Sequence, residues 1–304
     1  MNQHTLKSAC VFKGKGLHGG LPVTMTVEPA GPGEGIVFYR TDLGGAPVRL
    51  APSSVASTDR STAIAEGETK VVTVEHLLSA FSGLGIDNAA VRLDAPELPI
   101  LDGSAAMYVK AFQQAGIAEQ DAQRRYAVLP GEFEYRDEAT GSLIRMTPYD
   151  RFEAEVTVHY EHPALLRDMK AGYVCSDDYA GEIAPCRTFC LLSEVEFLMQ
   201  RGLIRGGDIS GALVVVDCEL DAQRLARLQE FFGIPTLKAS QNGYLDNVEL
   251  HFTNECARHK ILDLMGDLML LSRPLKARVE AFKPGHRVNA AAVRALVRQY
   301  PQML

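Results

Sequence analysis

Several features that would assign a protein to a large class are missing from this sequence of 304 residues. No run of about 18 apolar residues exists, so no membrane-spanning helix is expected. Residues 1–7 lack the apolar core of a signal peptide, and none of the six cysteines forms a C-x-x-C pair. Reduced thiols in the cytoplasm are therefore the expected state. The net charge of −7 argues against a nucleic-acid-binding protein.

The order of predicted strands and helices indicates an α+β protein with two similar halves. In each half strands come first and helices later, and the polar residues 118–126 are predicted to be the linker. We therefore predict a first domain over 1–120 and a second over 126–304, which agrees with the length of the chain. A segment at about 184–216 departs from this plan. Because an amphipathic helix over 189–202 is followed there by a strand, we predict a βαβ insert.

A polar stripe lies on the long helix predicted over 254–271. His259 and Asp263 are four residues apart, and Asp267 follows one turn later, so the three side chains share one face. The neighbouring positions are mostly apolar and should be buried. Buried polar groups are costly unless a partner such as a divalent metal compensates them. A solvated helix face is the plain alternative.

A second predicted helix begins after Thr73, its expected N-cap, and has Glu75 and His76 in its first turn. A catalytic zinc ion commonly takes three protein ligands and leaves one position for water. His76 would complete such a set with His259 and Asp263. Glu75 adjoins a ligand and is suited to accept a proton from water. Its alternative is an ordinary carboxylate that the helix dipole stabilises.

His286 is a third candidate. It follows the strand predicted over 276–282, on a Pro-Gly loop from which a side chain can reach into a site. It is suited to act as a general acid or, as a cation, to hold an oxyanion, and Asp267 would favour that cation. A surface histidine on the loop before the final helix, over 290–298, is the alternative.

Several motifs resemble those of one family, the UDP-3-O-acyl-N-acetylglucosamine deacetylases of lipid A biosynthesis, through nearly the whole chain. They are residues 14–18 (GKGLH), 73–80 (TVEHLLSA), 83–88 (GLGIDN), 96–104 (PELPILDGS), 187–189 (RTF), 258–263 (RHKILD) and 284–286 (PGH). Residues 247–250 and 254–258 further resemble the branch found in Bacteroidetes. In that branch the deacetylase is often fused to a hydroxyacyl-carrier-protein dehydratase, so a fused or separate dehydratase is an implied partner. The present chain is expected to be too short to contain it.

The resemblance implies a zinc-dependent hydrolase that removes the N-acetyl group of UDP-3-O-(3-hydroxyacyl)-N-acetylglucosamine as acetate. The zinc ligands would be His76, His259 and Asp263, as the helix-face argument also proposes. Glu75 would be the general base. His286 would be the cation that stabilises the oxyanion and protonates the leaving amine.

Supporting roles follow from the same resemblance. Asp267 would keep the imidazole of His286 charged. Thr188 would donate a hydrogen bond to the tetrahedral oxyanion, because preorganised donors stabilise such charge. Lys260 lies beside a ligand and would help to bind the substrate. The implied fold has two domains, each a sheet packed on two helices in a β-α-α-β sandwich, with the active site between them.

The substrate-binding residues also come from the resemblance. Tyr160 matches an aromatic residue that contacts uracil, and Lys283 matches a lysine beside the phosphates. The insert would enclose the acyl chain, although plain helix packing is an alternative for its apolar residues. The matching insert residues are Phe189, Leu192, Leu198, Met199 and Leu203.

Four positions depart from the family pattern. Gly19 stands where a small hydroxyl residue is common, and His251 stands where an arginine is common. Arg287 and Val288 replace the usual alanine and a small or aliphatic residue after the Gly-His pair. A large cation beside His286 would oppose its protonation or add a phosphate contact. None of these changes removes a proposed catalytic group, so the sequence predicts an active enzyme for a small-molecule substrate.

Two rival functions use the same residues. The first is a non-catalytic binder of a lipid-linked nucleotide sugar, which would keep the acyl tunnel without turnover. The second is a zinc amidase that acts on a different amide, and it would not require both a uracil-contacting aromatic and a phosphate-side lysine.

Overall fold

A computed structural model describes residues 1–200, 211–238 and 240–304 of the chain. These residues form a mixed α+β fold, which confirms the predicted class. Its strands are β1 (Asn2–Leu6), β2 (Cys10–Lys15), β3 (Pro22–Pro29), β4 (Ile36–Arg40), β5 (Pro47–Arg49), β6 (Val55–Ser57), β7 (Ala63–Glu66), β8 (Thr69–Val72), β9 (Ala89–Leu93), β10 (Ile117–Gln123), β11 (Ala127–Val128), β12 (Phe133–Asp137), β13 (Ser142–Pro148), β14 (Phe152–Val158), β15 (Met169–Val174), β16 (Phe189–Leu191), β17 (Leu213–Val215) and β18 (Leu275–Phe282). Its helices are α1 (Glu75–Leu84), α2 (Ala106–Ala115), α3 (Tyr179–Glu182), α4 (Leu192–Gln200), α5 (Ala222–Phe232), α6 (Glu255–Leu268) and α7 (His286–Gln299).

The two halves of the chain repeat one sheet topology. The first sheet has the order β2-β3-β9-β4-β5, and the second has β12-β13-β18-β14-β15. In the first sheet the last strand in chain order, β9, lies between β3 and β4 and runs parallel to β4. In the second sheet the last strand, β18, likewise lies between β13 and β14 and runs parallel to β14. The helices α1 and α6 therefore precede equivalent central strands, β9 and β18. The division into two domains stays a prediction that this repetition favours.

Helix α6 lies against the second sheet and against α1. It contacts β14 and β15, while α7 contacts β12 and β13. Strand β18 alternates buried and more exposed residues, as expected when one face of a sheet is covered by helices. Buried apolar side chains of both halves belong to one continuous cluster. The polar residues of α1 and α6 are thus enclosed where the two halves meet.

The linker predicted over residues 118–126 is wrong for its first part, which is a strand. Residues 117–123 form strand β10, which pairs antiparallel with β1. This two-stranded ribbon has residues of intermediate or full exposure along β10, so polar side chains suit it as well as they suit a loop. Polar composition alone could not separate the two structures, and the predicted boundary at residue 120 falls inside a strand.

Two smaller predictions also need correction. Thr73 is not the N-cap of α1, since Val74 occupies that position without a side-chain capping bond. The Thr73 hydroxyl instead donates a hydrogen bond to Glu97. The helix predicted over 189–202 begins as strand β16, which pairs parallel to β17, and helix α4 covers residues 192–200, while residues 201 and 202 lie outside the described part of the chain. In the described part of the chain, no helix has both the length and the apolar character that crossing a bilayer requires.

Gly266 permits the close contact between α6 and α1. A Cβ atom at this position would lie 2.1 Å from the carbonyl oxygen of Glu75, which is backbone and cannot rotate away. We expect Gly266→Ala to lower the free energy of unfolding by about 1–3 kcal/mol, because overpacking forces the two helices apart. Urea unfolding measures this effect.

Gly172→Ala is the matched control for this substitution. A Cβ atom added at Gly172 would lie 3.8 Å from the nearest atom, so we expect a change in the free energy of unfolding close to zero. An alanine in an unstrained helix is more favourable than a glycine by up to about 1 kcal/mol. A Gly266→Ala protein that is more stable than the parent would therefore contradict the close contact of α1 and α6.

Candidate active site

Three buried side chains bring possible metal ligands together between α1 and α6. They are His76 from the first turn of α1 and His259 and Asp263 from consecutive turns of α6. Their ligand atoms all lie within 4.8 Å of one another. The Oδ1 atom of Asp263 is 3.8 Å from Nε2 of His76 and 3.2 Å from Nε2 of His259. Because these side chains are buried, the solvated-face alternative for the stripe on α6 is wrong.

The hydrogen bonds around this cluster leave the inward atoms unpartnered. Nδ1 of His259 is 2.9 Å from the carbonyl oxygen of Cys186, which can only accept, so Nδ1 carries a proton and Nε2 is the ring nitrogen that faces the cluster. Nε2 of His259 and Oδ1 of Asp263 are buried with no hydrogen-bond partner in the described structure. Such atoms are costly to bury unless a ligand satisfies them.

The protonation states also suit a metal. Burial, followed by the nearby His259, lowers the pKa of His76 to about 3, so its imidazole is neutral at pH 7. Burial alone would raise the pKa of Asp263, but His259 and Lys260 outweigh it and hold that pKa well below its usual value. The neutral imidazole of His76 and the carboxylate of Asp263, together with the imidazole of His259, form a donor set that fits zinc.

Glu75 lies next to this cluster and is almost fully buried. Its Oε2 accepts a hydrogen bond of 3.0 Å from the backbone N–H of Thr62, and its Oε1 lies 3.6 Å from Nε2 of His286. Burial is the largest cause that raises the pKa of Glu75 to about 7, and Asp267 adds to the rise. A carboxyl group with this pKa can both accept and release a proton near neutral pH.

His286 is the first residue of α7, where the sequence predicted a loop. Its Nδ1 lies 3.0 Å from Oδ2 of Asp267. Burial alone would lower the pKa of His286, and a helix N-terminus also disfavours a cation. The carboxylates of Asp267 and Glu75 outweigh the burial and raise this pKa to about 10, so the imidazole is charged at neutral pH.

Two residues that the sequence did not single out hold Asp267 in place. Asn289 donates a hydrogen bond of 2.8 Å to Oδ2 of Asp267, and the hydroxyl of Thr62 donates to Oδ1. Asn289 lies three residues after His286 on the same helix, so helical spacing could have indicated it. Thr62 is 205 residues from Asp267 in the chain, and no local pattern marks it.

A cavity of about 430 Å³ opens beside the cluster. Its walls include four residues that the sequence assigned to substrate binding or catalysis, namely Tyr160, Phe189, Lys260 and Lys283. Nζ of Lys260 lies 2.7 Å from Oδ2 of Asp263 and 5.2 Å from the centre of the Phe189 ring. This lysine therefore connects the ligand cluster to the cavity. The other lining residues are Thr140, Ser142, Val158, His159, Glu161 and Pro284.

The remaining predicted site residues are less closely tied to the cluster. The backbone of Thr188 is fixed by hydrogen bonds to Gly103 and Leu213, but in the described structure its hydroxyl has no hydrogen bond to the catalytic candidates. Leu192 is fully buried in a small core that includes Val195 and Val214, which agrees with the helix-packing alternative. Residues outside the described part are Leu203 and the side chains of Leu198 and Met199.

Comparison with known proteins gives a consistent set of relatives. The profile of the family LpxC, UDP-3-O-acyl N-acetylglycosamine deacetylase, matches residues 3–232 and 236–298. A bifunctional enzyme LpxC/FabZ of Chlorobaculum tepidum is 41% identical over 299 residues, which cover 97% of this chain and 64% of the relative. The protein of that name in Bacteroides thetaiotaomicron is 38% identical over 290 residues, which cover 95% and 63%.

The alignment covers more of a relative that is named for the deacetylase alone. The UDP-3-O-acyl-N-acetylglucosamine deacetylase of Acidithiobacillus ferrooxidans is 37% identical over 300 residues, which are 98% of this chain and 90% of that protein. The chain thus spans less than two thirds of the bifunctional relatives and most of the single-function one.

Proposed function

The chain belongs to the UDP-3-O-acyl N-acetylglycosamine deacetylase family, and from this premise we propose that it hydrolyses UDP-3-O-(3-hydroxyacyl)-N-acetylglucosamine to the free amine and acetate in lipid A biosynthesis. The observation that carries the proposal is the buried convergence of His76, His259 and Asp263 beside Glu75 and His286. The names of relatives such as the Acidithiobacillus ferrooxidans deacetylase support the proposed substrate. A cytoplasmic location and the two-domain division, over 1–120 and 126–304, are parts of the same proposal.

Zinc is the proposed cofactor, held by His76, His259 and Asp263. The unpartnered Nε2 of His259 and Oδ1 of Asp263 support this assignment. When bound, the ion would supply Lewis acidity, which polarises a carbonyl group and lowers the pKa of water. Nδ1 of His259 donates to the Cys186 carbonyl and would orient that ligand, as outer-shell partners generally do.

The protons move between two groups of the chain. Glu75 takes a proton from the attacking water, and its raised pKa suits this role near neutral pH. His286 holds the tetrahedral oxyanion as a cation and then gives its proton to the leaving amine. Asp267 keeps His286 charged and oriented through Nδ1. The hydroxyl of Thr188 is proposed as a further hydrogen-bond donor to the oxyanion.

The cavity beside the cluster would receive the uridine diphosphate. Tyr160 is 37% exposed, and its ring forms a T-shaped contact with that of Phe189 at 6.4 Å, so this aromatic pair is the proposed contact for the base. Lys283 would contact a phosphate, and the ammonium of Lys260 would face the sugar. The acyl chain is proposed to follow the insert over 184–216.

Acetate release from the acylated UDP-sugar by purified protein tests this function. We expect release that stops on removal of metal by a chelator and returns with added zinc. UDP-N-acetylglucosamine without the acyl chain is the control substrate and should react far more slowly. Protein that carries one zinc ion and releases no acetate would contradict the proposed reaction and favour the non-catalytic binder.

The rate is expected to depend on pH as a bell-shaped curve. Glu75 must be ionised, so activity rises as the pH passes its pKa of about 7, and a bound cation would lower this value. His286 must be protonated, so activity is lost as the pH rises through about 10. Measurement of kcat/KM from pH 5 to 11 checks both limbs.

Asp267→Asn provides the control for the basic limb. Loss of this carboxylate removes the largest cause that raises the pKa of His286, so the basic limb should move to lower pH. A basic limb that stays in place in the Asp267→Asn enzyme would contradict the assignment of that limb to His286.

A further inference from the structure

Arg287 forms an ion pair that the sequence did not predict. It is the second residue of α7, and its Nη2 atom lies 2.6 Å from Oδ2 of Asp137, the last residue of β12. The Asp137 side chain is only 8% exposed, whereas that of Arg287 is 57% exposed. The guanidinium is engaged with this carboxylate, and Arg287 is not among the residues that line the cavity.

Asp137 also organises the turn that joins β12 to β13. Its carbonyl oxygen accepts hydrogen bonds from the backbone N–H groups of Thr140, at 3.3 Å, and Gly141, at 2.8 Å. Its Oδ1 accepts a third bond, of 3.1 Å, from the N–H of Ala139. The side chain of Asp137 thus accepts one of these three bonds through Oδ1, and its other carboxylate oxygen is the one that Arg287 contacts.

The turn and the segment before α7 form two walls of the same cavity. Thr140 and Ser142 line it from the turn, and their hydroxyls are hydrogen-bonded to each other at 2.9 Å. Lys283 and Pro284 line it from the segment that leads into α7. Arg287 lies three residues after Pro284, in the first turn of α7, so its ion pair ties the turn to the helix that this segment leads into.

We propose that the Arg287–Asp137 pair is a clamp that holds the turn after β12 against α7 and thereby sets the affinity of the cavity for a nucleoside diphosphate. The identity of the ligand rests on the proposed function. Both members are positioning residues, since neither lines the cavity itself. Loss of Arg287 would leave the buried carboxylate of Asp137 without its cation, and the turn would lose this side-chain tie to α7.

A simpler account gives Arg287 only a long-range charge that attracts the anionic ligand. The two accounts predict opposite changes in diphosphate affinity for the Asp137→Asn variant. This variant removes a negative charge near the cavity, so long-range attraction alone predicts tighter binding of a diphosphate. The clamp predicts weaker binding, because an amide pairs poorly with the guanidinium and the turn after β12 is then no longer held against α7.

Calorimetric titration with uridine diphosphate decides between them. We expect Arg287→Gln and Asp137→Asn each to weaken binding by about three- to fivefold, the effect of a partly exposed ion pair. The double variant should bind about as weakly as either single variant, since the two changes break one interaction. Arg298→Gln, at an exposed position near the other end of α7, is the control for net charge and should bind like the parent.

Two readouts separate the clamp from general loss of structure. In acetate-release assays Arg287→Gln should raise KM more than it lowers kcat, and Arg287→Lys should restore part of the affinity. Hydrogen exchange of the amides of Thr140 and Gly141 should become faster in Arg287→Gln. This measurement supports or refutes the clamp even if Asp137→Asn does not fold.

The outcomes also separate this inference from the proposed function. If the parent protein binds uridine diphosphate and Asp137→Asn binds it as tightly or more tightly, the clamp is refuted and the function stands. Unchanged amide exchange in Arg287→Gln refutes the clamp in the same way. A parent protein that shows no affinity for uridine diphosphate overturns the nucleotide assignment of the cavity, and the role of the clamp with it.

Discussion

Replacing Glu75 by glutamine is expected to reduce turnover by about 10²- to 10⁴-fold, the range that a positioned general base contributes. Glutamine keeps an oxygen that can accept the bond from the N–H of Thr62, so the side chain should stay in place. It cannot take a proton from water. Because Glu75 is outside the proposed ligand set, the variant should retain its zinc, and kcat measured beside metal content tests both statements.

The matched control is Glu68→Gln, which removes an exposed carboxylate from the turn between β7 and β8. Its turnover should equal that of the parent. Stability gives a second comparison, because burial raises the pKa of Glu75 and an uncharged amide avoids that desolvation cost. We therefore expect Glu75→Gln to unfold at the same denaturant concentration as the parent or at a higher one. Near-parental turnover in Glu75→Gln would show that another group is the base.

Substitution of His259 by glutamine is expected to abolish both metal binding and turnover. His259 is fully buried, and its Nε2 is one of the two unpartnered atoms that face the cluster. Loss of an outer-shell partner alone typically costs 10- to 100-fold in metal affinity, about the minimum for loss of a ligand. Metal analysis after dialysis against a buffered zinc solution measures the loss directly.

His251→Gln is the control for this experiment, since His251 is exposed and lies outside the cluster. It should keep one zinc ion per chain and full activity. The His259→Gln protein should still bind uridine diphosphate, because the cavity residues are unchanged. One zinc ion per chain at parental affinity in His259→Gln would contradict the proposed ligand set.

The sequence predicted the half of the site that lies on one helix. His259, Asp263 and Asp267 share a face because their spacing matches the helical repeat, and apolar neighbours imply their burial. The approach of His76 could not be derived in this way, since no spacing rule relates two helices so far apart in the chain. The need for a third zinc ligand suggested that pairing and the family resemblance also implied it, and the structure brings the three side chains together.

The errors have physical causes of their own. The sequence predicts a linker where strand β10 lies, because an exposed strand of a two-stranded ribbon accepts polar side chains as readily as a loop does. It predicts a loop at His286 because Pro284 and Gly285 precede that residue, yet α7 begins there. Thr62 was not found at all, because its contribution is partly a backbone N–H, which every residue except proline carries.

The bonds of Thr62 have a consequence for the order in which the protein forms. This residue joins Glu75 to Asp267, a partner that ribosomes add 205 residues later. Until α6 has been synthesised and docked, Glu75 and His76 lack the groups that define their protonation states. Each half of the chain therefore carries catalytic candidates whose partners lie in the other half, across the contact of α1 with α6. Neither half is expected to be active alone. Separately expressed halves that recovered activity on mixing would reveal how strongly this contact, rather than the peptide link, holds the protein together.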